Sequence, residues 1–209
     1  MSMAPILEVI WRHLLVQTAS GRRHYSRVAD LASELGVGLS TAHLALGHPV
    51  EIGAVELSRR AGLTVLDPAR LLTLYSAHRR LSRDVVYECH VDLSAENLEE
   101  HLAAQPGVIL GGFRALLSHT GGINRIADYS TVLVYGEPDV DALPVTDDQT
   151  AATLLVARPD AWLANYGTIT PASQAYADLF AMPGWQAARF VEETNQQELV
   201  TNDRLALLV

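Results

Sequence analysis

Apolar residues recur at helical spacing near the start of the chain, where Ile6, Val9, Ile10, Leu14 and Leu15 share one face and Pro5 suits the first turn of a helix over 5–19. Ser20-Gly21-Arg22-Arg23 closes it. A second periodic stretch groups Val28, Leu31, Ala32 and Leu35, and Gly36 stands where a left-handed helix cap is needed. The turn Gly36-Val37-Gly38 keeps one apolar residue for the gap between helices, and Ser40 or its neighbour opens another helix from Leu39 to about His48. Pro49, which lacks a backbone N–H, is expected to end or kink that helix at Gly47-His48. The pattern then changes to alternation. Residues 54–58 and 63–66 read as the strands of a hairpin, and its turn, Arg59-Arg60-Ala61-Gly62, carries a basic tip.

Asp67-Pro68 is a strong helix start, and a helix over 69–81 aligns Leu71, Leu72, Tyr75 and Leu81. From Asp84 strands and helices alternate. A strand around Val85, Val86, Tyr87 and Val91 precedes a helix opened by Ser94 with an acidic first turn. A further unit begins at Val108-Ile109-Leu110-Gly111-Gly112, continues as a helix over 113–119, and is followed by strands at 131–135 and 152–157. The last third predicts a helix over 171–180, a break at Met182-Pro183-Gly184 and a second helix from Trp185 to about Gln197. This order fits an α+β chain of two domains: residues 1–83, a winged helix-turn-helix with a linker helix, and residues 84–209, a mixed sheet with helices on its face.

Composition narrows the setting. Cys89 is the sole cysteine of the 209 residues, which excludes an internal disulfide. No charged and apolar leader is visible, and no apolar run approaches the roughly 18 residues that span a bilayer, so a soluble cytoplasmic protein is expected, without membrane contact. The net charge of −9 is unevenly placed: residues 1–83 carry +4 and residues 84–209 carry −13. The basic half coincides with the helix-turn-helix pattern.

That coincidence points to double-stranded DNA as the partner. Arg22 and Arg23 precede the first helix of the pair, Arg27 lies on it, and Arg59 and Arg60 sit at the wing tip, so phosphate contacts can come from both flanks. Base edges fall to Ser40, Thr41 and His43 on an outer face that also offers Leu44, Gly47 and His48. This face lacks the Arg, Asn and Gln of most base-reading helices, and two amphipathic helices joined by a glycine turn also occur in ordinary bundles. A surplus of four charges predicts modest, salt-sensitive affinity per protomer, which a homodimer pairing two half-sites would raise.

The second half carries weaker signals. Gly111-Gly112 followed by Asp128 invites comparison with nucleotidyltransferases, in which a glycine pair cradles phosphate and alternate carboxylates hold magnesium. The comparison breaks at Ser130, two residues after Asp128, with no further acid until Glu137; Asp139 and Asp141 lie beyond the strand. His43 with His48, or Cys89 with His90, does not match the paired spacing of a closed tetrahedral metal site. Cys89, between Glu88 and His90, reads as a packed small residue. Accordingly no catalytic residue, metal or cofactor is assigned. Trp162, Tyr166, Tyr176, Phe180, Trp185 and Phe190 gather late in the chain; any that are exposed would suit a protein partner, and the acidic surplus would suit a basic one.

The whole layout resembles the AbiEi type of bacterial regulator and antitoxin. The residues that carry the resemblance are the winged segment, the stretch LGGFRALLSHTGGINRIADYSTVLVYGEPD from Leu110 to Asp139, ATLLVARPD, and the late helix YADLFAMPG. It implies an N-terminal winged helix, a C-terminal domain distantly similar to nucleotidyltransferases without their acids, repression of its own operon, and a role as antitoxin to a toxin. Departures from the pattern are Pro49 and the missing basic residues of the second helix. The alternative reading makes residues 84–209 a protein-binding module that neutralises a partner, with incidental DNA contact; a divergent nucleotidyltransferase comes last.

Overall fold

The computed structural model describes residues 6–121, 124 and 126–200. Pro5, and Gly122, Ile123 and Arg125 of the stretch from Leu110 to Asp139, lie outside them. The chain is α+β, with two sheets in two compact units that meet in sequence at Arg79 and Arg80.

The first unit runs α1 (Ile6–Ala19), β1 (His24–Tyr25), α2 (Val28–Glu34), α3 (Leu39–Glu51), β2 (Val55–Ser58), β3 (Gly62–Val65) and α4 (Pro68–His78). Its core forms where the apolar stripes meet: Ile10, Leu14, Leu31, Ala45, Leu46, Leu63, Leu71 and Tyr75 are fully buried. Asp67 caps α4 by accepting the Arg70 N–H at 3.0 Å. That helix ends at His78, earlier than the expected Leu81, which instead begins the short α5 (Leu81–Asp84). Between α2 and α3 the expected glycine turn is present, with Gly36 at φ 60°.

Two features of this unit escaped the hydrophobic pattern. The two residues of β1 add a third strand, giving the antiparallel order β1-β3-β2; so short a strand has no period to read. The hairpin turn is also tighter than expected, because Gly62 already pairs with Ser58. Gly62 takes φ 77°, and a Cβ there would fall against the carbonyl oxygens of Tyr25 and Ser26, so only glycine lets the hairpin lie this close to the start of α2.

Pro49 neither ends nor interrupts α3, contrary to expectation: the helix continues to Glu51. The reason is a contact from outside the helix. Proline cannot donate to the carbonyl four residues earlier, Ala45, and the indole Nε1 of buried Trp11 donates to that oxygen instead, at 2.6 Å. The carbonyl left over by the proline is therefore satisfied from α1.

The second unit follows α5 with β4 (Val85–Val91), α6 (Ala95–Ala103), β5 (Ile109–Leu110), α7 (Gly112–His119), β6 (Thr131–Tyr135), β7 (Val145–Thr146), β8 (Ala152–Ala157), a 3-10 turn at Leu163–Tyr166, α8 (Ala172–Ala181) and α9 (Trp185–Val200). The mixed sheet has the order β5-β6-β8-β4-β7, with only β6 and β8 parallel. Apolar clusters cover it on two sides, one built around Phe113, Leu116, Leu133, Leu179 and Phe190, the other around Leu98, Leu102, Val132, Val134 and Leu154. Ser94 caps α6 through the Asn97 N–H at 3.2 Å. Among the described residues, no helix is long and apolar enough to cross a membrane.

Candidate nucleic-acid interface

The frame of the first unit leaves α3 with one solvent-facing side. Ala42, Ala45, Leu46 and Pro49 are buried, while Leu39, Ser40, His43, Leu44 and Gly47 are exposed, at the three- and four-residue spacing of a single helix face. Thr41 is only half-buried, and its hydroxyl sits beside Gly38 at the start of the helix, 3.5 Å from where a Cβ would stand. The start of α2, the exposed side of α3 and the β2–β3 hairpin enclose an open cleft of about 470 Å³, lined among others by Arg27, Leu39, His43, Leu57 and Arg59. Three residues chosen from the sequence, Arg27, His43 and Arg59, thus meet at one place. Ser40 stands on the same face of α3 outside the cleft lining.

The arginines divide into two groups. Arg22 donates to both oxygens of Glu34, at 3.1 and 2.8 Å, and its guanidinium stacks over the Tyr25 ring at 4.1 Å. Arg27 pairs with Asp30 at 2.7 Å across the first turn of α2 and holds that carboxyl below its usual range. Arg70 is tied to Asp67 and to the Ile52 carbonyl, and Arg79 is buried against Glu8 at 3.2 Å. Arg23, Arg59 and Arg60 remain exposed, without an ion pair to a described residue. At the hairpin tip the Ser58 hydroxyl accepts the N–H groups of Arg60 and Ala61, both at 3.3 Å, which fixes the turn while leaving both arginine side chains in water.

Behind Arg22 lies a polar cluster that the sequence reading missed. His13 Nε2 is 3.1 Å from Glu34 Oε1 and 3.2 Å from the Tyr25 hydroxyl. Burial lowers the His13 pKa, and the neighbouring Glu34 carboxylate offsets part of that. Glu34 is therefore shared between a buried imidazole and Arg22, an arrangement built from residues 21 positions apart that no local spacing announces. Leu44 was expected on this outer face, whereas Leu39 and Leu57 were missed as surface groups. The exposures of Leu39, Leu44 and Leu57 are 49%, 74% and 39%, and a leucine on the polar side of the α3 helical wheel was the available signal.

The second unit turns its polar chemistry inward. Gly111 and Gly112 are filled spaces: a Cβ on Gly111 would meet Tyr135 and Leu133 at 3.0 and 3.2 Å, and one on Gly112 would meet Leu133 at 3.3 Å. The glycine pair serves close packing of α7 on β6. Asp128, Asp139 and Asp141 are exposed, and among the described residues no three His, Cys, Asp or Glu side chains converge on a metal position. The Tyr135 hydroxyl donates to buried Asp178 at 2.7 Å, and Gln174 donates to the other Asp178 oxygen at 2.8 Å. Tyr129 donates to Glu99, whose pKa is pushed up to about 7, chiefly by burial. Cys89 is half-buried on β4. Of the late aromatic residues Phe190 and Tyr176 are buried, whereas Phe180 and Trp185 are half and two-thirds exposed.

No family model, curated protein or solved structure matches the chain.

Proposed function

We propose that the chain is a DNA-binding transcriptional regulator, its first unit a winged helix-turn-helix in which α3 enters the major groove and the β2–β3 hairpin is the wing. The observation that carries this reading is the convergence of the start of α2, the open side of α3 and an arginine-tipped hairpin on one cleft. The order helix, short strand, helix, turn, helix, hairpin supports it, as does the three-stranded sheet that braces the hairpin. Arg59, Arg60 and Arg23 bind phosphates; Arg22 and Arg27, neutralised by their own carboxylates, contribute less; Ser40, His43 and, at the helix start, Thr41 approach bases. With Arg23, Arg59 and Arg60 of the first unit carrying no ion pair to a described residue, a homodimer on two half-sites is the form that gains useful affinity. Action in the cytoplasm, repression of its own operon and pairing with a toxin complete the proposal, following the resemblance to AbiEi-type regulators.

Replacing Arg59 and Arg60 together by Ala lowers affinity for duplex DNA about tenfold or more near 0.1 M salt, and flattens the slope of log K against log salt by about two per protomer. An unchanged slope contradicts the wing assignment. A second reading, in which residues 84–209 bind a protein partner, is favoured by the exposure of Trp185 and Phe180 on an acidic unit; capture of a partner by the full chain that is lost in Trp185→Ala supports it.

A further inference from the structure

If the first unit binds DNA as proposed, its reading helix has very little with which to recognise bases by hydrogen bonds. The exposed side of α3 offers one hydroxyl, Ser40, two imidazoles, His43 and His48, and no amide or guanidinium. Leu44, at 74%, is the most exposed large apolar residue among those described, with Leu39 at 49% at the start of the helix. Toward the far end of the same side Gly47 presents bare backbone, with no atom within 4 Å of the space a Cβ would take. Leu57, 39% exposed on the hairpin, continues the apolar character across the cleft, while Arg59 in its lining supplies charge and Arg60 follows at the hairpin tip.

A duplex has one apolar feature that such a face can read. The C5-methyl group of thymine projects into the major groove and distinguishes a T·A pair from the others by contact alone. We infer that α3 reads its DNA site through thymine methyl groups, with Leu44 the principal reading side chain and Leu39 the second, the arginines of the hairpin supplying the electrostatic attraction that holds the helix in place. The inference rests on the DNA-binding reading and adds to it the kind of base that site prefers.

The test uses the full chain and two chemical versions of one DNA. Sequences are enriched from a random duplex pool by the wild-type protein, then prepared with thymine or with uracil, which lacks only the methyl group. The expected result is weaker binding of the uracil version, by roughly fourfold for each contacted methyl removed, together with loss of that preference in Leu44→Ala and its retention in Leu44→Met. Equal binding of both versions by the wild type, or an undiminished preference in Leu44→Ala, overturns methyl reading while the DNA-binding proposal stands. Failure to enrich any sequence at low salt overturns the DNA-binding proposal and this inference with it. Leu44 lies in solvent, so its replacement leaves the fold intact.

Discussion

Arg23, Arg59 and Arg60 of the first unit are exposed without an ion pair to a described residue, whereas the second unit draws Asp178 and Glu99 into its interior and surrounds them with hydroxyl and amide donors. A charge left at the surface is available to a partner at no desolvation cost within the protein. A buried one is committed to the fold, since removing its donors strands an ion in a low-dielectric interior. The contrast explains why residues that look chemically suggestive in the second half, the glycine pair and the buried carboxyl groups, belong to architecture, while the chemically plain hairpin of the first half makes the better candidate interface.

The contrast breaks most visibly at Asp178. Asp178→Ala removes the buried carboxylate that accepts from the Tyr135 hydroxyl and from Gln174, and a loss of about 3 kcal/mol in urea unfolding is expected. Stability unchanged within experimental error would mean that Asp178 is not a structural group. Next in size is Trp11→Phe. It keeps most of the packing but removes the donor to the Ala45 carbonyl, costing about 2 kcal/mol and weakening DNA binding through displacement of the end of α3. DNA affinity equal to wild type for folded Trp11→Phe would show that the surface of α3 does not depend on that bond.

Glu99 sharpens the comparison through pH. Its carboxyl titrates near 4.5 when unfolded and at about 7 in the fold. Below pH 4.5 both states hold the proton. Between the two values the folded chain keeps a proton the unfolded chain releases, so this group makes stability fall as pH rises, and above pH 7 the full penalty, on the order of 2 kcal/mol, is in place. Glu99→Gln should therefore raise the melting temperature relative to wild type at pH 8 and not at pH 4; a pH-independent difference excludes the titration. His13, whose pKa is lowered, acts in the opposite sense as pH falls, and the difference between variant and wild type cancels it. The smallest effect belongs to Arg27→Ala. Because Asp30 already neutralises Arg27, DNA affinity changes by about twofold or less; a loss as large as that of Arg59→Ala alone would show that the pair opens on DNA.

Much of this was legible in the sequence because it is local. The glycine at the end of α2, the aspartate-proline start of α4 and the serine cap of α6 each depend on residues within a turn, and the short apolar runs at 131–135 and 152–157 mark the strands directly. What was hidden depends on distant partners. Pro49 reads as a helix stop until Trp11, in another helix, supplies the missing donor. Arg22 and Arg27 read as available cations until Glu34 and Asp30 are seen to occupy them, one of these twelve residues away. The glycine pair invites comparison with a phosphate-binding turn, and its close packing against Leu133 and Tyr135 emerges only in the fold. Exposure of Leu44 could be read from the helical wheel alone, yet its value as a surface group emerges only once Ser40, Gly47 and the hairpin are seen around it.

The central claim, that the cleft of the first unit is a DNA-binding surface, is met most directly by fluorescence anisotropy of the purified full chain on the DNA upstream of its own coding sequence, with scrambled duplex as competitor at near-physiological salt. The account predicts binding well below micromolar that scrambled DNA does not displace. Equal, weak binding to both duplexes would contradict it and transfer the functional weight to the exposed aromatic residues of the second unit.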